Sequence, residues 1–297
     1  IGRFRDASSE LVPDDSRHDT RTIDVTRPQE LSAPSAAYAA LDARSFRASA
    51  LTRGPWDAGH QHAGPPIALV CRAVEQAAHE HGLTHLARLT ANLLRPVPIG
   101  DVVVEVMTDY VGRNAGHFSA HLLAGGKEVA RFTALVQRES AAKLPADLPG
   151  HPLPMAPRTP EESPVVTFPF AGAQLCYADL VETRAAQGMF WKGPCAIWFR
   201  QRHPLVEGET PSPYQRVPVA ADSGNGISGV LDYRRHSFVN SDLTINLLRR
   251  PVGEWICLDA RTVLGPDGGG LAESALYDAQ GLIGRATQSL AVRLRSS

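Results

Sequence analysis

From Val102 to Met107, Val102, Val104 and Val106 make an all-apolar face that alternates with a mixed one of Val103, Glu105 and Met107. A period of two predicts a strand with one face buried. Trp255 to Arg261 predicts its counterpart late in the chain. The period changes after Pro65-Pro66: Ile67, Val70, Cys71, Val74 and Ala78 share one side of a helix, and Gly82 supplies a stop. Prolines at the start suit a helix, because the first N–H groups have no partner within it. After Pro211-Ser212-Pro213, Tyr214, Val217 and Ala221 predict a second helix. Pro218 kinks or shortens it, and Asp222-Ser223-Gly224-Asn225-Gly226 ends it.

These elements recur. Leu89-Thr90-Ala91-Asn92-Leu93-Leu94-Arg95 returns 154 positions later as Leu243-Thr244-Ile245-Asn246-Leu247-Leu248-Arg249. The same offset carries Arg131-Phe132-Thr133 onto Arg285-Ala286-Thr287, and Leu122 onto Leu276. A register held this far argues for two copies of one structural unit. Each copy has a helix, the repeated element, a strand, a glycine-rich turn (112–116 and 265–270) and a closing hairpin. The hairpin turns are Ala124-Gly125-Gly126-Lys127 and Asp278-Ala279-Gln280-Gly281.

The segment between the copies is rich in proline, which excludes a regular helix or central strand and reads as a semi-rigid extended linker. The expected organisation is a polar, partly disordered lead-in over 1–37, a first domain over 38–143, the linker over 144–170 and a second domain over 171–297. One helix wrapped by one long antiparallel sheet, present twice, is the layout of an α+β double hotdog: two fused antiparallel sheets, each around a central helix. Fusing the sheets covers the edge that a single copy leaves open.

Composition narrows the partners. A net charge of −1 gives no positive field for nucleic acid. No apolar run approaches the roughly 20 residues that span a bilayer. The opening IGRFRDASSE does not resemble a signal peptide, so a cytoplasmic protein is expected. Cys71, Cys176, Cys195 and Cys257 lie far apart with no C-x-x-C pair, as buried reduced thiols would.

Polar residues that break the repeat are the best candidates for chemistry. Gln288 falls on Ala134, Asn240 falls on Leu86, and Asp222 ends the second helix. Hydrolysis of a thioester needs an activated water and donors for the oxyanion. Asp222 has the carboxylate to take a proton from water. Gln288 has an amide to hold that water or meet the oxyanion. Asn240, or Ser241 beside it, completes the water's hydrogen bonds, and N–H groups at a helix terminus supply the remaining donor. Each also has a plainer reading: Asp222 as a turn residue, Gln288 as the solvent face of a strand, Asn240 as an Asx turn. His60-Gln61-His62 suggests a metal, but no cysteine or acidic cluster completes a ligand set. That segment reads instead as a pocket wall or a domain joint. Neither a nucleotide-binding glycine fingerprint nor a G-x-S-x-G elbow is present.

The chain resembles the double-hotdog acyl-CoA thioesterase II-like family, in particular its actinobacterial branch. The resemblance is carried by Gly54-Pro55-Trp56 through Gly64-Pro65-Pro66, Leu93 to Pro96, Asp222 to Gly226, Phe238 to Arg250, Gly253-Glu254-Trp255 and Gly284 to Ser289. It implies a water oriented by an aspartate, a hydroxyl residue and a glutamine. Asp222 and Gln288 match the first and last. Asn240, or Ser241 with a shift of one, stands at the middle position, and Asn240 departs from the hydroxyl. Ala63-Gly64 replaces the family's Gly-Gly and narrows what passes there. The resemblance also implies an acyl tunnel, an acyl-CoA or acyl-carrier thioester as substrate, no cofactor or metal, a role in lipid metabolism and a homodimer or larger assembly. His60, Gln61, His62, Gly64 and Ser241 are the expected substrate-binding residues. Two rivals remain at this stage. An enoyl-CoA hydratase needs a histidine soon after Asp222, and the next is His236. A non-catalytic thioester-binding protein would not need Asp222 and Gln288 in one copy only.

Overall fold

A computed structural model describes residues 33–140, 145, 153–172, 174–232 and 235–295. Most of the expected lead-in therefore lies outside the described residues. The first half forms β1 (Tyr38–Ala40), β2 (Ser45–Ala48), α1 (Gly64–His79), β3 (His85–Leu93), β4 (Asp101–Val111), β5 (Ala115–Ala124) and β6 (Lys127–Gln137). Then follow β7 (Val165–Val166), α2 (Tyr177–Leu180), β8 (Val181–Gln187), β9 (Cys195–Gln201), α3 (Pro213–Ala221) and α4 (Gly224–Ile227). The chain continues through β10 (His236–Asn240), β11 (Asp242–Leu247), β12 (Ile256–Leu264), β13 (Gly269–Asp278) and β14 (Gly281–Leu294). Among the described residues, no helix is long and apolar enough to cross a membrane.

The strands form one antiparallel sheet in the order β1-β2-β4-β5-β6-β3-β11-β14-β13-β12-β9-β8-β7, with β10 also on β14. The order is mirrored about the β3·β11 seam. There Thr90 lies opposite Thr244, and the two hydroxyl oxygens are 3.3 Å apart. These residues are 154 apart in sequence, the offset of the repeat itself. A residue that faces its own repeat equivalent marks a local two-fold axis.

The helices pack on each other and on opposite halves of the sheet: α1 meets β4 and β5, and α3 meets β12. This explains why Ala68 and Leu69 are buried although they lie off the predicted stripe. Ser212 caps α3 by accepting the Gln215 N–H and also donates to Glu75, which ties the start of α3 to the C-terminal half of α1. Helix α3 runs through Pro218 and stops at Ala221, with Asp222 as its C-cap.

Six strands were not expected: β1, β2, β7, β8, β9 and β10. Strand β9 shows why. Cys195 to Phe199 are all buried, so no alternation marks them. One reason is the proline-rich segment, which is not a free spacer. Its carbonyls at Pro154, Arg158 and Pro164 accept from Leu282 N, Trp198 Nε1 and Ala185 N. Among its described residues, only Val165–Val166 form a strand, at the sheet's end.

One irregularity positions the site. Strands β10 and β11 both pair with β14, with Asn240 opposite Leu290 and Thr244 opposite Thr287. Residues 241–243 thus stand against 288–289, one residue in excess. Strand β3 slips against β6 between Leu86 and Arg88, at the repeat equivalent of this point. Both halves therefore carry the bulge, which bends a strand and re-aims its side chains.

Candidate active site

Asp222 is where the second half's irregularities converge. It leaves the end of α3 and is 5% exposed. A buried carboxylate at the negative end of a helix needs several donors. Asn240, turned by the bulge, donates from Nδ2 to Asp222 Oδ1 at 2.9 Å. Gln288 donates from Nε2 to the Asp222 carbonyl at 3.1 Å, with Oδ1 at 3.5 Å. The Gln288 Oε1 accepts the Asn225 N–H at 3.0 Å, which fixes the amide's orientation. Gln288 is only 2% exposed, so its plain reading as a solvent-facing strand residue fails. Its neighbours are the turn of α4 and the end of α3, which cover that face of β14. The first half has buried Leu86 and Ala134 at the equivalent places, so its bulge carries no polar chemistry.

The remaining oxygen faces a residue of the first half. His62 Nδ1 lies 3.0 Å from Asp222 Oδ2, and the imidazole stacks on Tyr177 with ring centres 3.8 Å apart and planes at 3°. The Gly64 N–H also points at Nδ1, at 3.2 Å. A bare Nδ1 would accept that N–H but would set its lone pair against a carboxylate. A hydrogen bond to a charged group contributes about 1.5–3 kcal/mol, against about 1 kcal/mol for a neutral one. The Nδ1–H tautomer, donating to Asp222, therefore wins. Burial holds the imidazole pKa below its ordinary value, against the opposing pull of Asp222, so the ring is neutral near pH 7. The absence of a histidine close after Asp222 in sequence thus does not hold in space, because the fold supplies one from the other half.

Asp222, Asn240, Asn225 and His62 line a cavity of about 470 Å³, within the range of small-molecule sites, whereas Gln288 is not part of its lining and reaches the site through Asp222. Its other walls are largely apolar and include Trp56, Phe168, Phe170, Trp191 and Phe238. Trp191 has φ of 59°, a strained value for a residue with a side chain, and its neighbour in the wall is the α4 turn. Trp56 and Phe238 belong to the stretches that carry the resemblance, but none of these aromatic residues was expected at the site, since nothing local links them.

The other expected residues fall differently. His60 lines the cavity and faces Asp57 at 3.5 Å. Gln61 lines it too, but its amide is engaged: Oε1 accepts from Tyr38 Oη at 2.5 Å and Nε2 donates to Pro98 O at 2.7 Å. Ser241 lies at the cavity rim on the bulge, where its backbone joins Leu93 to Ser289. Gly64 sits beneath the wall, where α1 approaches the Val219 carbonyl of α3. The α1 terminus is a poor source of oxyanion donors: Pro65 and Pro66 have no N–H, and that of Gly64 is turned toward His62. Among the described residues, no three His, Cys, Asp or Glu side chains cluster to hold a metal.

The profile of the acyl-CoA thioesterase N-terminal domain matches residues 52–137, and that of the C-terminal domain matches residues 150–292. The chain belongs to the acyl-CoA thioesterase family. As a member it is a thioester hydrolase, and the seam at β3·β11 lies between its two matched domains. Solved structures agree on the fold. A candidate thioesterase II from Thermobifida fusca YX is 15% identical, with 87% of this chain and 96% of that one covered at a TM-score of 0.65. A conserved protein of unknown function with a hotdog fold, from Alicyclobacillus acidocaldarius, is 18% identical over 89% and 97% at 0.62. The acyl-CoA thioesterase II TesB2 of Mycobacterium marinum is 15% identical over 87% and 96% at 0.56. No curated protein matches the sequence.

Proposed function

We propose that this hotdog thioesterase cleaves acyl thioesters of CoA or an acyl carrier to the free acid and thiol, using a water activated by Asp222 with Gln288 and Asn240. The observation that carries this reading is the buried Asp222 carboxylate, held by Asn240 and Gln288 in the wall of an apolar cavity. The apolar walls suit an acyl chain. The carboxylate supplies the negative charge that draws a proton away from the attacking water. We read the architecture as two fused hotdogs, each sheet wrapping its own helix, with the active copy distinguished from the silent one by Asp222, Asn240 and Gln288. The domain limits 38–143 and 171–297, a cytoplasmic location, a role in lipid metabolism and assembly into a homodimer or larger oligomer belong to the same reading. Sedimentation tests the last of these.

The test is thiol release from short, medium and long acyl-CoAs, followed with a chromogenic disulfide. The protein's own thiols do not disturb it: all four cysteines are buried, and burial pushes Cys195 up to about 11. Asp222→Asn keeps the size of the side chain but removes the charge. Its kcat is expected to fall by about 10²- to 10⁴-fold, the usual contribution of acid–base catalysis, with melting temperature retained. A variant as fast as the wild type would remove Asp222 from the mechanism.

A further inference from the structure

Asp222 has little room for a water of its own. Its Oδ1 faces Asn240 and Gln288, its Oδ2 takes His62, and its side chain is 4% exposed against 11% for that of His62. The His62 ring has one nitrogen on the carboxylate. The other, Nε2, has no hydrogen-bond partner among the described residues. Stacking on buried Tyr177 fixes the ring plane, and the ring belongs to the cavity wall. A carboxylate on Nδ1 with Nε2 free is the arrangement that makes an imidazole a general base.

We infer that His62 is a catalytic residue, with Nε2 taking the proton of the attacking water and Asp222 acting through the ring. The inference rests on the hydrolase reading and adds the atom that moves the proton. As the water oxygen bonds to the thioester carbon, its O–H bond breaks and the proton passes to Nε2. The carbonyl π pair moves onto oxygen. When the tetrahedral species collapses, the C–S bond breaks, its electron pair leaves on sulfur, and the Nε2 proton neutralises the thiolate. The ring returns to its starting form, and Asp222 balances the imidazolium between the two steps. The base comes from the first half and its carboxylate from the second, so neither copy of the repeat is sufficient alone.

The titratable groups that face the ring are Asp222 from the end of α3 and Tyr177 from α2. Burial pushes the Tyr177 hydroxyl far above its usual range, so it stays neutral. His60, two residues away, faces Asp57 instead. Protonating Nε2 removes the base, so kcat/KM falls at acid pH. Burial places that limb below the ordinary imidazole pKa of about 6.5.

His62→Asn tests the step, because its Nδ2 retains a donor toward Asp222 where Nδ1 stood but offers no base. The expected result is a fall in kcat of about 10²- to 10⁴-fold, with KM, melting temperature and binding of an acyl-CoA thioether analogue retained and the acid limb lost. A variant within threefold of the wild type and with the same acid limb overturns the role of His62 while leaving the hydrolase reading intact. A wild type that releases thiol from no acyl thioester overturns that reading, and this step with it. Nitrogen-15 spectra of the wild-type imidazole give an answer that needs no variant. A proton on Nδ1 at pH 7 is expected, and a proton on Nε2 overturns the assignment.

Discussion

Gly224 has no side chain, and the orientation of Gln288 depends on that. A Cβ there would lie 2.8 Å from Gln288 Oε1 and 3.0 Å from Ser274 Oγ. The glutamine has nowhere to move, since its amide is held between Asn225 N–H and the Asp222 carbonyl. Gly224→Ala is therefore expected to break one of those bonds and leave a buried polar group unpaired, at about 1–3 kcal/mol. Steady-state kinetics and a thermal melt check this: kcat at least tenfold lower, together with a lower melting temperature. An unchanged kcat would mean that the Gln288 amide is not needed in this position. At this scale the sequence showed which residues broke the repeat. It did not show that Gln288 faces inward, because alternation along a strand says nothing about what covers each face.

The close pass of α1 over α3 fixes the distance from His62 to Asp222. Gly64 makes it feasible: a Cβ there would meet the Val219 carbonyl at 2.9 Å and the Pro218 carbonyl at 3.1 Å. Alanine favours a helix more than glycine does, so Gly64→Ala isolates the steric cost. Overpacking of this kind costs about 1–3 kcal/mol. The expected outcome is a melting temperature lower by several degrees and a lower kcat, as the first turn of α1 carries His62 away from the carboxylate. A variant as stable and active as the wild type would show that the pass is slack. Both helices were legible, since a period of 3.6 and flanking prolines are local signals. Strand β9 was not, because burial on both faces erases the alternation that marks a strand. The bulge at Ser241 left no sign either, as an extra residue is seen only against the partner strand.

The two halves meet along β3·β11 and through α1 and α3, and each holds part of the site. Expressed separately, residues 33–145 carry His62 without Asp222, and residues 153–297 carry Asp222 without His62. Each fragment is expected to be inactive, and the two expressed together are expected to associate and release thiol from acyl-CoA. Size-exclusion chromatography with the same thiol assay reads both outcomes. Hydrolysis by the second fragment alone would show that the site needs nothing from the first. The seam itself gives reason to expect association, since Leu89, Ala91, Leu243 and Ile245 are buried on it.

Periodicity and the repeat are properties of order along the chain, so the sequence by itself determined the two helices, the hairpins, the duplication and the three polar residues found in one copy only. The meeting of His62 with Asp222, the inward turn of Gln288 and the aromatic walls of the cavity depended on distances between residues far apart in the chain. Those distances are set by strand pairing at the Thr90–Thr244 axis, by an extra residue against β14 and by a glycine-wide gap between two helices. Each is a relation between surfaces, and it exists only once the surfaces are packed.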